Sequence, residues 1–171
     1  MAIEVDPTWK LNHPEAGING MKTARSVALI SYRAYHTYGN SQHETDVNKT
    51  EAFKASSYQR YQGEKLARRF NAFSYYRLSQ AMDSHNLGRH RGSIEEALAK
   101  IKAQTLVIGI SSDGLFPVNE QQYLAQHIEE AYYTEIDSYY GHDGFLVETE
   151  KLTTVIKAFY DKCQKKSLVL E

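Results

Sequence analysis

The stretch Thr105-Leu106-Val107-Ile108-Gly109-Ile110 most constrains what this chain can fold into. It is β-branched and apolar without alternation, the pattern of a strand buried on both faces of a parallel sheet. A parallel strand reaches its neighbour only through a crossover, and the next residues supply one. Pro117 and Asn119 lead into a helical stretch from about Glu120 to Glu130. A short strand comes next, from about Tyr132 to Ile136, and a last helix from about Thr149 to Lys162. Strand–helix–strand–helix over these lengths predicts a βαβα unit with a right-handed crossover.

Ahead of that unit the chain reads as helices. Residues 1–20 form an irregular lead-in, because Asp6-Pro7 and His13-Pro14 disfavour helix and Gly17 and Gly20 interrupt its end. From about Met21 to Tyr38, Ala24, Val27, Ala28 and Ile30 recur at helical intervals, and Gly39-Asn40 end the run. Residues 40–52 are a polar loop. Helices are expected from about Ser56 to Phe70 and from about Ala72 to Ser84. After the basic loop Gly88–Gly92, Ser93 and Glu96 make a capping box that predicts a short helix from about Ile94 to Ile101. The chain thus divides into a lead-in (1–20), a helical region (21–92) and a C-terminal α/β part (93–171), and is predominantly helical. Two strands leave unpaired edges, so further strands come from a partner or a larger fold.

At 171 residues and 42% hydrophobic, the chain can bury a core and would ordinarily be one domain. A net charge of −1 with 24% charged residues offers no field for nucleic acid or an anionic membrane. No apolar run approaches the roughly 20 residues that span a bilayer, and the first residues lack the basic and apolar parts of a signal peptide. The single cysteine, Cys163, has no partner for an internal disulfide and agrees with a reducing compartment. A soluble, cytoplasmic protein is expected.

Chemistry concentrates after the strands, in Tyr140-Gly141-His142-Asp143-Gly144-Phe145-Leu146 and Ser111-Ser112-Asp113. A lone histidine is most often structural. His142, however, comes after a strand in a glycine-flanked turn, and Asp113 holds the equivalent place after the preceding strand. Ligands of α/β sheets bind beyond the carboxyl ends of strands. Aspartate before histidine also matches the Ser, Asp, His order of α/β-hydrolases. An aspartate accepting from one ring nitrogen would fix the tautomer while the other nitrogen takes a proton. Asp113 and His142 are therefore the candidate catalytic pair. No G-x-S-x-G elbow accompanies them: Gly109-Ile110-Ser111-Ser112-Asp113 has aspartate where the second glycine belongs. The seven histidines show no metal-ligand spacing, so no metal is expected. Arg89-His90-Arg91 reads as a solvated loop, and the tyrosines as packing.

Several pieces resemble homoserine O-acetyltransferases, enzymes of the α/β-hydrolase fold in methionine biosynthesis. They are Thr23-Ala24-Arg25 with Ser31-Tyr32-Arg33, Tyr58 through Tyr61-Gln62-Gly63, Arg69-Phe70-Asn71-Ala72 with Ser74-Tyr75, Met82-Asp83, Ser112-Asp113-Gly114-Leu115-Phe116 and the turn 140–146. They run in family order over nearly the whole chain, aligned to the C-terminal half. Asn71 and Phe73 depart from the family's frequent Asp and Asn.

The resemblance implies a partial α/β-hydrolase fold, a helical lid followed by the C-terminal βαβα unit. It implies acetyl transfer from acetyl-CoA, as co-substrate with no bound cofactor, to L-homoserine by a Ser-His-Asp ping-pong course. Asp113 and His142 would serve the triad, Arg25 would bind the homoserine carboxylate and Asp143 its ammonium. Apart from the resemblance, Arg25 reads as an ordinary helix-surface salt bridge. The serine would come from an N-terminal half, leaving this chain inactive alone. A non-catalytic homoserine-binding or assembly module, or a related succinyl- or serine-directed acyltransferase, are the alternatives. The open edge beside Thr105–Ile110 is expected to be covered by self-association. Light scattering should then give a mass above that of one chain, and a strictly monomeric mass contradicts it.

Overall fold

The computed structural model describes residues 1–168; residues 169–171, the end of the expected segment 93–171, lie outside the described residues. In chain order come α1 (Ile18–Tyr32), α2 (Tyr35–Gln42), α3 (Lys54–Ala67), α4 (Ala72–Asp83), α5 (Ile94–Ala99), β1 (Thr105–Ile110), α6 (Val118–His127) and β2 (Ala131–Ile136). A 3-10 turn (Gly141–Asp143), α7 (Gly144–Val147) and α8 (Thr149–Leu168) complete it. The chain forms two compact units. One comprises Met1–Ser31 and Tyr38–His85; the other comprises Tyr32–Thr37 and the residues from Asn86 onward.

In the first unit, the lead-in is irregular but packed. Ile3, Met21, Leu66 and Ala72 form a buried cluster, with Trp9, Phe70, Tyr75 and Tyr76 against it. Trp9 also stacks on Phe73 with ring centroids 4.8 Å apart. The lead-in crosses α1 at Gly20, where a Cβ would stand 2.5 Å from the Ala2 carbonyl oxygen, so only glycine allows the approach. Asp6 locks this crossing. Its Oδ2 accepts from the Gly20 backbone N–H at 2.8 Å, and its Oδ1 from the Thr8 N–H and hydroxyl at 2.9 and 2.7 Å. A carboxylate from a distant part of the chain thus satisfies a donor in the first turn of α1, where negative charge is favoured. At α4, Asn71 has a clear local use: its side chain caps the helix by accepting from Ser74 N–H at 2.8 Å.

The helix expected from about Met21 to Tyr38 is instead two helices, broken after Tyr32. No Gly or Pro lies at the break. Its cause is tertiary: residues 32–37 belong to the second unit, and the backbone there runs against Gly141. The Gly39-Asn40 pair does not stop the helix, which continues to Gln42 because tertiary context outweighs a modest propensity penalty.

In the second unit, β1 and β2 pair in parallel, Thr105 opposite Ala131 through Ile110 opposite Ile136. They are the two strands among the described residues. Tyr132 meets Phe159 of α8 edge-on at 5.9 Å, and the Lys162 ammonium lies 3.6 Å from the Tyr132 ring centroid. The next residue, Tyr133, lines a surface hollow together with Gln122, Ala125 and Gln126 of α6. Successive strand residues face opposite ways, so α6 and α8 cover opposite faces, the layering of an α/β sheet. Ser93 caps α5 by accepting from Glu96 N–H at 3.1 Å. Helix α6 starts two residues before the expected Glu120, directly after Pro117. Among the described residues no helix is long and apolar enough to cross a membrane.

The Thr8 and Gly20 hydrogen bonds, led by the Thr8 hydroxyl, hold the Asp6 carboxyl below the usual carboxylate range. A depressed folded pKa stabilises above the unfolded value of about 3.9, and that stability is lost as pH falls through the folded pKa. Asp6→Ala should cost about 2 kcal/mol in urea unfolding at neutral pH. Asp6→Asn should flatten the loss of stability below about pH 4. Wild-type stability in Asp6→Ala would contradict the capping role.

Candidate active site

The register of the two strands sets the site. Ile110 and Ile136 end side by side, and the Ser111 N–H carries the ladder one step further by donating to the Ile136 carbonyl at 3.0 Å. The segments leaving both strands therefore start from one point. Serines then tie them together. Ser111 Oγ donates to Asp137 Oδ1 at 2.9 Å and accepts from Ser138 N–H at 3.2 Å. Ser112 Oγ accepts from Gly141 N–H at 2.9 Å. Both hydroxyls of the elbow-like stretch 109–113 are thus engaged in holding the segments.

Asp113 turns back on the end of β1, its N–H donating to the Ile110 carbonyl at 3.0 Å. Its Oδ1 accepts from Leu115 and Phe116 N–H, both at 2.9 Å. Its Oδ2 lies 2.8 Å from His142 Nδ1. The carboxylate is 7% exposed and the imidazole 20%. Two backbone donors keep the buried carboxylate aimed at the ring. Because a carboxylate can only accept, Nδ1 carries the proton and Nε2 is the nitrogen able to take one. Tyr32, Phe116 and Phe145 surround the imidazole, with centroids 5.7, 5.2 and 5.1 Å away.

His142 occupies the middle of the 3-10 turn. Gly141 enters that turn at φ +65°, and a Cβ there would lie 2.5 Å from Ala34 N and 3.1 Å from the Tyr32 carbonyl oxygen. Glycine is required on both counts. Gly144 is equally close to the strand ends, its notional Cβ 2.8 Å from Ser138 Oγ and 2.9 Å from Ile110 Cγ2.

Of the residues singled out from sequence, Asp113, His142 and Asp143 come together in the second unit. Asp143 Oδ2 is 3.3 Å from Arg33 Nε. Arg25 lies half-buried on α1 in the first unit. Sequence reasoning named Arg33 within the family-like piece Ser31-Tyr32-Arg33, two turns after Arg25, but gave it no role. It missed Ser111, Ser112 and Ser138, whose clustering at both strand ends is the only local hint.

The arrangement leaves Nε2 free to take up a proton, with the Asp113 carboxylate behind Nδ1. Solved structures share the fold. The structure of esterase E22 matches over 92% of this chain and 47% of its own, with a TM-score of 0.80 and 20% identity. That of homoserine O-acetyltransferase from Bacillus anthracis matches over 84% and 42%, with a TM-score of 0.74 and 20% identity. The chain is a partial α/β-hydrolase fold. No family model matches the chain. In sequence it is a relative of the homoserine O-acetyltransferases. It is 51% identical to that of Cyclobacterium marinum over 160 residues, covering 94% of this chain and 45% of the other. The chain spans about half the length of the relatives it matches.

Gly141→Ala should destabilise the chain by about 2 kcal/mol or more, from positive φ and backbone overlap together. Gly114→Ala, with open space around it, should change stability by less than about 1 kcal/mol. Thermal unfolding of both variants checks this, and equal effects would contradict the close approach at Gly141.

Proposed function

We propose that this chain is the C-terminal portion of a homoserine O-acetyltransferase and works in the cytoplasm. In this proposal its nucleophilic serine lies outside these 171 residues. The observation that carries the proposal is the 2.8 Å contact between His142 Nδ1 and Asp113 Oδ2 beyond two parallel strand ends, in a relative of those enzymes. Residues 21–92 are proposed as the lid region and 93–171 as part of the catalytic domain. Acetyl is preferred over succinyl because the relatives bear the acetyltransferase name.

The serine oxygen attacks the thioester carbonyl of acetyl-CoA as His142 Nε2 takes its proton. Collapse of the tetrahedral intermediate breaks the C–S bond, and His142 returns the proton to the departing sulfur. The homoserine hydroxyl then gives its proton to His142 and attacks the acetyl-enzyme. Collapse breaks the serine ester, and the proton returns to the serine. Asp113 stays ionised throughout and stabilises the imidazolium. Asp143 is proposed to receive the homoserine ammonium and Arg25 its carboxylate, both on family likeness; a planar guanidinium suits bidentate carboxylate binding. Self-association is proposed to cover the free edge of β1.

The test is CoA release from acetyl-CoA and L-homoserine. This chain alone is expected to give no turnover. Combined with the nucleophile-bearing half of the Cyclobacterium marinum enzyme it is expected to turn over. His142→Ala should then lower kcat by roughly 10³-fold or more. Turnover by this chain alone contradicts the proposal. Homoserine binding by calorimetry without turnover in the combination would instead support a binding module.

A further inference from the structure

Arg33 touches both ends of the turn that carries His142. Its backbone carbonyl carbon lies 3.0 Å from where a Gly141 Cβ would stand, at the start of the turn. Its guanidinium meets Asp143 at the end, Nε to Oδ2 at 3.3 Å. Both side chains are about three-quarters covered, 25% and 27% exposed, so their attraction is less screened than at an open surface. The turn itself spans only Gly141–Asp143 and has little stability of its own. Other contacts fix its entry: Gly141 N–H to Ser112 Oγ, and Thr37 Oγ1 to the Tyr139 carbonyl just before it. At the exit the Gly144 N–H donates to the Gly141 carbonyl, and Asp143 adds its ion pair with Arg33.

Asp143 also poses a chemical problem. It sets a second carboxylate one residue from an imidazole that must donate to Asp113 alone. A carboxylate without a cation would compete for the ring N–H. Pairing with Arg33 removes that competition.

We propose that Arg33 is a positioning residue for His142: it holds Asp143, fixes the exit of the 3-10 turn and reserves the imidazole Nδ1–H for Asp113. The role matters to catalysis only if His142 is the base proposed above. The geometry it predicts exists in this chain without serine or substrate.

The test is NMR of the full 171-residue chain labelled with 15N-histidine. An Nδ1–H donated to a carboxylate gives a strongly downfield, slowly exchanging proton. Wild type should show it for His142, assigned by its loss in His142→Gln. Arg33→Met should lose or broaden the signal, and Arg33→Lys, which keeps the charge, should restore it. If Arg33→Met does not fold, Arg33→Gln gives the same reading with a polar side chain. A folded Arg33→Met or Arg33→Gln that keeps the signal at its wild-type shift and exchange rate overturns the proposal. Failure of the acetyl-transfer assay would leave this signal in place, so the two failures are distinct.

Discussion

Everything at the candidate site depends on two parallel strands ending in register. With Ile110 beside Ile136, the segments leaving β1 and β2 start within one hydrogen bond of each other, and Ser111 N–H makes that bond to Ile136. An aspartate three residues past one end and a histidine six past the other can then meet. The parallel pairing is itself forced by composition. An apolar, β-branched strand of this kind is stable when both faces are covered; Val107, Gly109 and Ile110 are buried, and α8 packs on the neighbouring β2 at Tyr132. The catalytic possibility arises from sheet geometry before any particular side chain is considered.

Holding the meeting point takes a different set of residues. Ser111 and Ser112 use their hydroxyls as links between the two segments, and Ser138 donates its backbone N–H to Ser111. Gly141 and Gly144 let the histidine turn sit against neighbouring backbone and the strand end. Residues 32–37, which run from the end of α1 into the start of α2, are part of the second unit. Arg33 lies among them. The chain thus gives up a continuous helix to place six residues, from Tyr32 to Thr37, against the histidine turn.

This is also where legibility from sequence ended. Strand β1 matches its expected bounds residue for residue, and the Ser93 capping box marks the start of α5, because both signals are local. The order of strands, helices, aspartate and histidine fitted an α/β-hydrolase without its elbow, and the family-like pieces supplied the class. The break after Tyr32 had no local signal, since no Gly or Pro stands there and the cause lies more than a hundred residues away at Gly141. The packed lead-in was hidden for the same reason: Asp6 caps α1 from fourteen residues upstream of Gly20. Spacing could place Asp113 and His142 beyond neighbouring strand ends. It could not show that Asp143 faces Arg33, a pairing made by folding alone.

The central claim is that Asp113 and His142 act as one unit in acyl transfer. A double-mutant cycle tests it most directly, with this chain combined with a nucleophile-bearing half of a relative. The rate of CoA release is measured for Asp113→Asn, for His142→Ala and for the double variant. Residues that act together lose their contribution once, so the double variant should be about as slow as His142→Ala alone. A double variant slower by the product of the two single losses would mean that the residues act independently, and would contradict the account.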